Sequence, residues 1–239
     1  VAVFVDMDIE DQATVFATIN LSQTKVNKSL AYDLYEYSKA RSPQKTAHNI
    51  ARVLNKEDGS PFKDRIKILG RATPGKKNET LTQAAFVEAL LPYLSKNPVL
   101  DRDRVKRGEA MERNTGSDDP RVLCNWFIDE RDAELTVLIW NYFLAVQRRW
   151  PAAWTEKEEG NILNRTTGFS ALMKFFPHAV RATGRQEEVV PTEEFGTLFA
   201  RVKLADRDFT PDAFSPGGTG TSKLYKELLA QTGVTREIG

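Results

Sequence analysis

Apolar and polar positions alternate with two different periods along this chain, and the periods divide it into elements. The chain opens in Val1-Ala2-Val3-Phe4-Val5, a continuous apolar run that reads as a buried strand. Asp8 stands where it can cap a helix, with Asp11 in its first turn, and Ile9, Ala13, Phe16 and Ala17 recur at helical spacing as far as Asn20. Leu21 to Ser29 is polar and reads as a loop. Helical periodicity resumes over Leu30 to Lys39 and Gln44 to Asn55, divided by Ser42-Pro43, a helix-start signal. After the turn at Gly59-Ser60-Pro61, Ile66 and Ile68 alternate with charges, which predicts a short strand over Phe62 to Leu69. A loop at Thr73 to Lys77 leads to a helix over Thr82 to Leu94 with Ala85, Phe86, Ala89, Leu90 and Tyr93 on one face.

The second half is helical throughout. Leu135, Leu138, Ile139, Tyr142, Phe143 and Val146 form the strongest amphipathic stripe, ending near Trp150-Pro151. Further helices are expected from Gly168 to Phe176, with Pro177 breaking or kinking the chain, and from Thr192 to Lys203. A last one follows the glycine-rich loop at 216–220, capped by Thr221 or Ser222 and running through Leu229. Between the halves, 97–120 is rich in charge and poor in large apolar side chains, which predicts an exposed linker or insertion. The expected fold class is therefore α+β with helices dominating: a small sheet with covering helices over 1–96, the linker, then a helical region over 121–239.

Composition excludes several classes without choosing among the rest. At 239 residues, with 41% hydrophobic and 28% charged residues, the chain has ample material for a core and is neither fibrous nor wholly disordered. Its longest apolar runs, such as Leu135 to Trp140, are far too short to span a membrane. Cys124 is the only cysteine, so an intramolecular disulfide is impossible and a reducing compartment, the cytoplasm, is expected. With two histidines besides, a Cys/His zinc cluster cannot be assembled and no metal site is expected. A strand at the first residue, with no Met before it, suggests a fragment whose upstream part is missing.

The formal charge of +1 hides an uneven distribution. Residues 1–19 carry −4, and residues 20–77 carry thirteen Lys/Arg against five Asp/Glu, a net +8; the remainder carries −3. An excess of that size can supply the contacts that release counterions from a nucleic acid, or it can simply form solvated faces. It surrounds the most informative stretch, Phe16 to Leu30. There Asn20, Gln23 and Asn27 offer amides able to read a base edge or a ribose, while Lys25 and Lys28 offer point charges for phosphate. The competing reading has Asn20 closing the preceding helix and Gln23 and Ser29 satisfying local backbone groups.

Phe16, Ile19, Asn20, Gln23, Val26 and Leu30 form the pattern Phe-x-x-Ile-Asn-x-x-Gln-x-x-Val with a following Leu. With the strand and acidic helix start before it, this resembles the DGQHR-domain family, which includes DndB-type proteins of DNA sulfur modification. Ala47-His48-Asn49-Ile50-Ala51 with Leu54-Asn55, Ser60-Pro61-Phe62 with Arg65-Ile66, Ile139 to Phe143, and Thr166 to Phe169 are similar to further family features, in the same order. The Asp-Gly-Gln-His-Arg run that names the family is absent; in the family it precedes the strand with which this chain opens. The resemblance implies a ParB-like sheet and contact with DNA or nucleotide through Asn20, Gln23, Lys25, Asn27, Lys28 and Arg65.

Other constellations carry less. Gly217, Gly218 and Gly220 with Thr221 and Ser222 lie before a helix, where backbone N–H groups can cradle an anion, but the spacing is not that of a P-loop. A connector with an ordinary Ser/Thr cap is the plainer reading. His48, near Lys45 and Arg52, can be a general base or a packed histidine, and Asp6 and Asp8 alternate as metal-binding carboxylates sometimes do. Three functions follow as expectations. The first is a DNA-associated accessory or regulatory protein of a modification or defence system, meeting DNA and other proteins of that system. The second is a nucleotide-hydrolysing or nuclease-like enzyme, with Asn20 and Lys25 positioning a nucleoside triphosphate and Mg²⁺. The third, a helical protein-interaction module, requires Leu138, Tyr142 and Val146 to be exposed.

Overall fold

The computed structural model describes residues 7–22, 27–116, 118–156, 160–185 and 187–234. The expected opening strand at Val1 to Val5 lies outside them. The protein is helix-dominated α+β, with 59% of the described residues helical. The N-terminal elements are α1 (Ile9–Ser22), α2 (Lys28–Asp33), a 3₁₀ turn (Leu34–Tyr37), α3 (Pro43–Lys56), β1 (Ile66–Lys67), β2 (Leu81–Thr82), α4 (Gln83–Leu94) and α5 (Pro98–Lys106). The rest are α6 (Cys124–Ile128), α7 (Asp132–Arg149), α8 (Pro151–Thr155), α9 (Thr166–Ala182), α10 (Thr192–Phe199), a 3₁₀ turn (Asp206–Asp208) and α11 (Gly218–Thr232).

Several boundaries follow the expected chemistry. Asp8 Oδ1 accepts from Asp11 N at 2.8 Å at the start of α1. Ser42 accepts from Lys45 N, with Pro43 in the first turn of α3, and Thr82 accepts from Ala85 N to open α4. The strand expected over Phe62 to Leu69 is much shorter. Only Ile66 and Lys67 pair, in parallel, with Leu81 and Thr82, because 61–65 turns back on itself instead of extending. Asn55 Oδ1 holds this edge by accepting from Arg65 N at 3.0 Å and Ile66 N at 2.8 Å, so the Leu54-Asn55 and Arg65-Ile66 pairs meet in space.

One continuous core unites the two halves. Phe62 lies at its centre, its ring against Phe86, Phe143, Trp154 and Phe169 at centroid distances of 4.7–6.0 Å. Trp154 donates its indole N–H to Pro61 O at 2.8 Å, which gives its buried polar atom a partner. Leu138, Tyr142 and Val146 are fully buried, so the α7 stripe is core and offers no surface to a partner. The charged stretch 97–120 is mostly exposed along its described residues. It contains α5, whose buried Asp101 accepts from Ser95 at 2.6 Å and Arg104 at 3.0 Å.

Of the break or kink expected at Pro177, the break does not occur: α9 continues through it to Ala182. A proline there leaves the carbonyl four residues earlier, at Met173, without its helical N–H. The Tyr93 hydroxyl donates to Met173 O at 2.7 Å and replaces the missing bond. The glycine-rich segment also differs from expectation. α11 begins at Gly218, with Gly217 at φ 94° as its cap, so Thr221 and Ser222 lie within the helix. A Cβ on Gly220 would come within 1.9 Å of Ser215 O, so glycine here serves close packing of the chain on itself.

Candidate functional site

The residues expected to meet DNA or nucleotide divide into three groups. Gln23 and Lys25 lie outside the described residues, and of Asn20 only the backbone is described, within the last turn of α1. Asn27 and Lys28 are engaged internally. Asn27 caps α2 by accepting from Ser29 N at 3.0 Å, and its amide donates to Leu69 O at 2.6 Å. Lys28 pairs with Glu88 at 2.7 Å. Arg65 is buried, which lowers its pKa, and donates Nη2 to Thr155 O at 2.9 Å, so it faces the interior instead of a duplex.

Part of the surrounding basic stretch is paired within the fold. Lys39 pairs with Glu10, Arg41 with Asp132, Arg52 with Asp33 and Glu36, Lys63 with Asp58, and Lys76 with Asp64. Among the described residues of the stretch, Lys45, Lys56, Arg65, Lys67 and Arg71 carry no ion pair, Lys45 being held by the Ser38 carbonyl and Arg65 by that of Thr155. In the glycine loop two donors are taken up by the fold: Gly217 N donates to Thr167 Oγ1 at 3.1 Å, and Thr221 Oγ1 donates to Thr167 O at 3.3 Å. Those groups are engaged in seating α11 on α9.

A pocket of about 430 Å³ opens elsewhere, in the size range of small-ligand sites. The last turn of α9 supplies Val180 and Arg181, and the following loop Gly184, Arg185, Glu187 and Glu188. The opposite wall is Asn114 to Gly116 with Arg121, Val122, Asn125 and Trp126. Asn114 and Asn125 lock the two layers of that wall: Asn114 N donates to Asn125 Oδ1 at 2.9 Å, and Asn125 Nδ2 returns to Asn114 O at 2.9 Å. The same amide reaches Glu187 Oε1 at 2.6 Å, across to the loop after α9.

Three guanidinium groups line the pocket in different states. Arg121 is buried and bidentate on Asp119, which raises its pKa, with Nη1 on Glu112 O at 2.9 Å. Arg185 is clamped by Glu194 at 2.7 Å and Glu188 at 3.0 Å. Arg181 has no such counter-charge. Its Nη2 donates to the Asp119 carbonyl, while Nη1 is buried with no hydrogen-bond partner. Burial lowers its pKa, partly opposed by the charges of Asp118 and Asp119. Arg181 thus hydrogen-bonds a carbonyl and no carboxylate, and its positive charge in the pocket wall, offset in part by Asp118 and Asp119, suits an anion. Trp126 and Val180 supply apolar wall, with Arg131 stacked over Trp126 at 4.3 Å from its ring centroid.

The pocket's polar groups suit binding. Cys124, just behind the wall, is fully buried; burial raises its thiol pKa against the pull of Arg121, so it is not a nucleophile. The signal for this pocket in the sequence is faint. Arg181, Asn125 and Trp126 come from separated segments, and the 97–120 stretch, whose Asn114 to Gly116 form part of one wall, reads as solvated charge.

His48 is also not where its sequence context alone would put it. It lies fully buried on α3, and both ring nitrogens lack hydrogen-bond partners. Burial, then the charges of Arg52 and Lys45, lower its pKa to about 4, so it is neutral near pH 7. Its nearest ligating nitrogen lies within 4.8 Å of carboxylate oxygens of Asp33 and Glu36. Comparison with protein families, curated proteins and solved structures returns no match.

Proposed function

We propose that this protein is a DNA-associated accessory or regulatory module that holds a nucleotide phosphate in the Arg181 pocket, and that Asn27, Lys28 and Arg65 do not make this contact. The observation that carries the reading is Arg181: a guanidinium in the wall of a ligand-sized pocket, bound to a carbonyl and to no carboxylate. The sequence resemblance to DNA-modification proteins supplies the nucleotide as the class of ligand, and the Trp126 and Val122 wall gives apolar contact beside the anion.

The phosphate can belong to a free nucleotide or to a DNA strand, and one experiment separates the two. Deoxynucleoside monophosphates and a labelled single-stranded oligonucleotide are titrated against the full chain by calorimetry and anisotropy, at low and physiological salt. Arg181→Gln is expected to weaken whichever ligand binds by about tenfold or more, the loss of one charge-assisted contact. Oligonucleotide binding with a steep salt slope assigns the phosphate to DNA, and salt-tolerant mononucleotide binding assigns it to a free ligand. Binding that Arg181→Gln leaves unchanged, or no binding of either ligand at millimolar concentration, overturns the proposal.

A further inference from the structure

A separate cluster lies on the other part of the chain, where the α2 and 3₁₀ segment meets α3, and it shares no residue with the Arg181 pocket. Asp33 ends α2 and Glu36 follows three residues later on the 3₁₀ turn, where residues three apart eclipse one another on one face. α3 brings His48 beneath them, with Arg52 one helical turn further along the same face. We propose that Asp33, Glu36 and His48 form a binding site for a first-row divalent transition cation, zinc being the representative, with Arg52 standing in for the cation in its absence.

Three observations carry this. First, one donor atom from each of the three residues lies within 4.8 Å of the others. A zinc ion with bonds of about 2.1 Å needs its ligands roughly 3.4 Å apart, so side-chain adjustment of about an ångström closes the set. Second, His48 is fully buried with both nitrogens unpartnered, a costly arrangement that native interiors avoid unless an ion or water completes it. A cation takes the lone pair of the unprotonated ring nitrogen directly. Third, Arg52 Nη1 already bridges Asp33 Oδ1 at 3.3 Å and Glu36 Oε2 at 2.5 Å, so positive charge is favoured at this spot.

The donor set selects the metal. One imidazole and two carboxylates suit zinc, cobalt, nickel or manganese better than calcium or magnesium, which take oxygen ligands throughout. Glu36 and Arg52 are partly exposed, with 48% and 42% of their side-chain surface accessible, so the cation can enter from solvent while His48 forms the floor. Arg52 must withdraw as it does so, since its charge opposes that of the ion.

The test is titration of the metal-stripped full chain with Zn²⁺ by calorimetry, and with Co²⁺ by visible absorption, which reports nitrogen and oxygen ligation directly. One equivalent is expected to bind and to raise Tm. Glu36→Gln, at an exposed position that keeps the fold, should weaken binding at least tenfold, and His48→Gln should alter the Co²⁺ spectrum. Arg52→Gln should tighten binding several-fold by removing the competitor. No stoichiometric binding, or binding indifferent to Glu36→Gln and Arg52→Gln, overturns the proposal; if His48→Gln does not fold, the other two variants decide it.

Discussion

His48 shows how burial, reinforced by neighbouring positive charge, sets the behaviour of a titratable side chain. Its ring is enclosed by the helix that carries Lys45 and Arg52 and faces the carboxylates of Asp33 and Glu36, yet it has no hydrogen-bond partner in the protein. In the unfolded chain the imidazole takes up a proton near pH 6.5; folded, it does so only at about 4. Between these values the unfolded state binds the extra proton, so stability is full above the unfolded pKa and declines as pH falls through the window. Unfolding by urea in the presence of a chelator should show a loss of about 3 kcal/mol from pH 7 to pH 4 attributable to this residue. His48→Leu should flatten that component, and an unchanged pH slope in the variant would contradict the assignment. The same scale explains the fate of the expected DNA contacts. An asparagine before a helix and a lysine beside a glutamate are as well suited to capping and pairing as to recognition, and Asn27 and Lys28 do the former.

At the scale of elements, the continuity of α9 depends on a side chain from α4. Pro177 removes one helical donor, and Tyr93 restores a bond to the carbonyl left behind. Tyr93→Phe keeps the ring and deletes that bond in the interior, leaving Met173 O unpaired. A loss of about 1–3 kcal/mol is expected in urea unfolding, with the slope of the transition unchanged. No loss would mean that the carbonyl finds another partner. Helices were legible here because their signals are local: Asp8, Ser42-Pro43 and Thr82 act within one turn of themselves. The break at Pro177 was not avoidable from sequence, since its remedy lies 84 residues away in the chain. The sheet was half legible for a related reason. Ile66 and Ile68 alternate as a strand should, but its partner is two residues long and carries no pattern of its own.

Across the whole molecule, the helix-dominated α+β class follows from periodicity, whereas the union of both halves does not. Phe62, Phe143, Trp154 and Phe169 are unremarkable apolar positions until the fold stacks them into one centre. Charge was the least legible property. The net +8 of residues 20–77 is real, and three carboxylates from other segments, Glu10, Glu88 and Asp132, offset part of it. Conversely, 97–120 looks solvated, while Arg121, next to it in the chain, is buried on Asp119 and helps build the pocket. Among the described residues, no helix is long and apolar enough to cross a membrane.

The central claim is that the Arg181 pocket receives the phosphate, and resonance-resolved titration tests it most directly. The chain has four tryptophans, of which Trp126 lines the pocket while Trp150 and Trp154 are packed elsewhere in the core. On titration with the ligand that binds, the Trp126 indole and Arg181 guanidinium signals should move in step, with those of Trp150 and Trp154 unmoved. Saturable shifts confined to Lys28 and its neighbours, with Trp126 and Arg181 unaffected, would place the phosphate on the basic stretch and contradict the account.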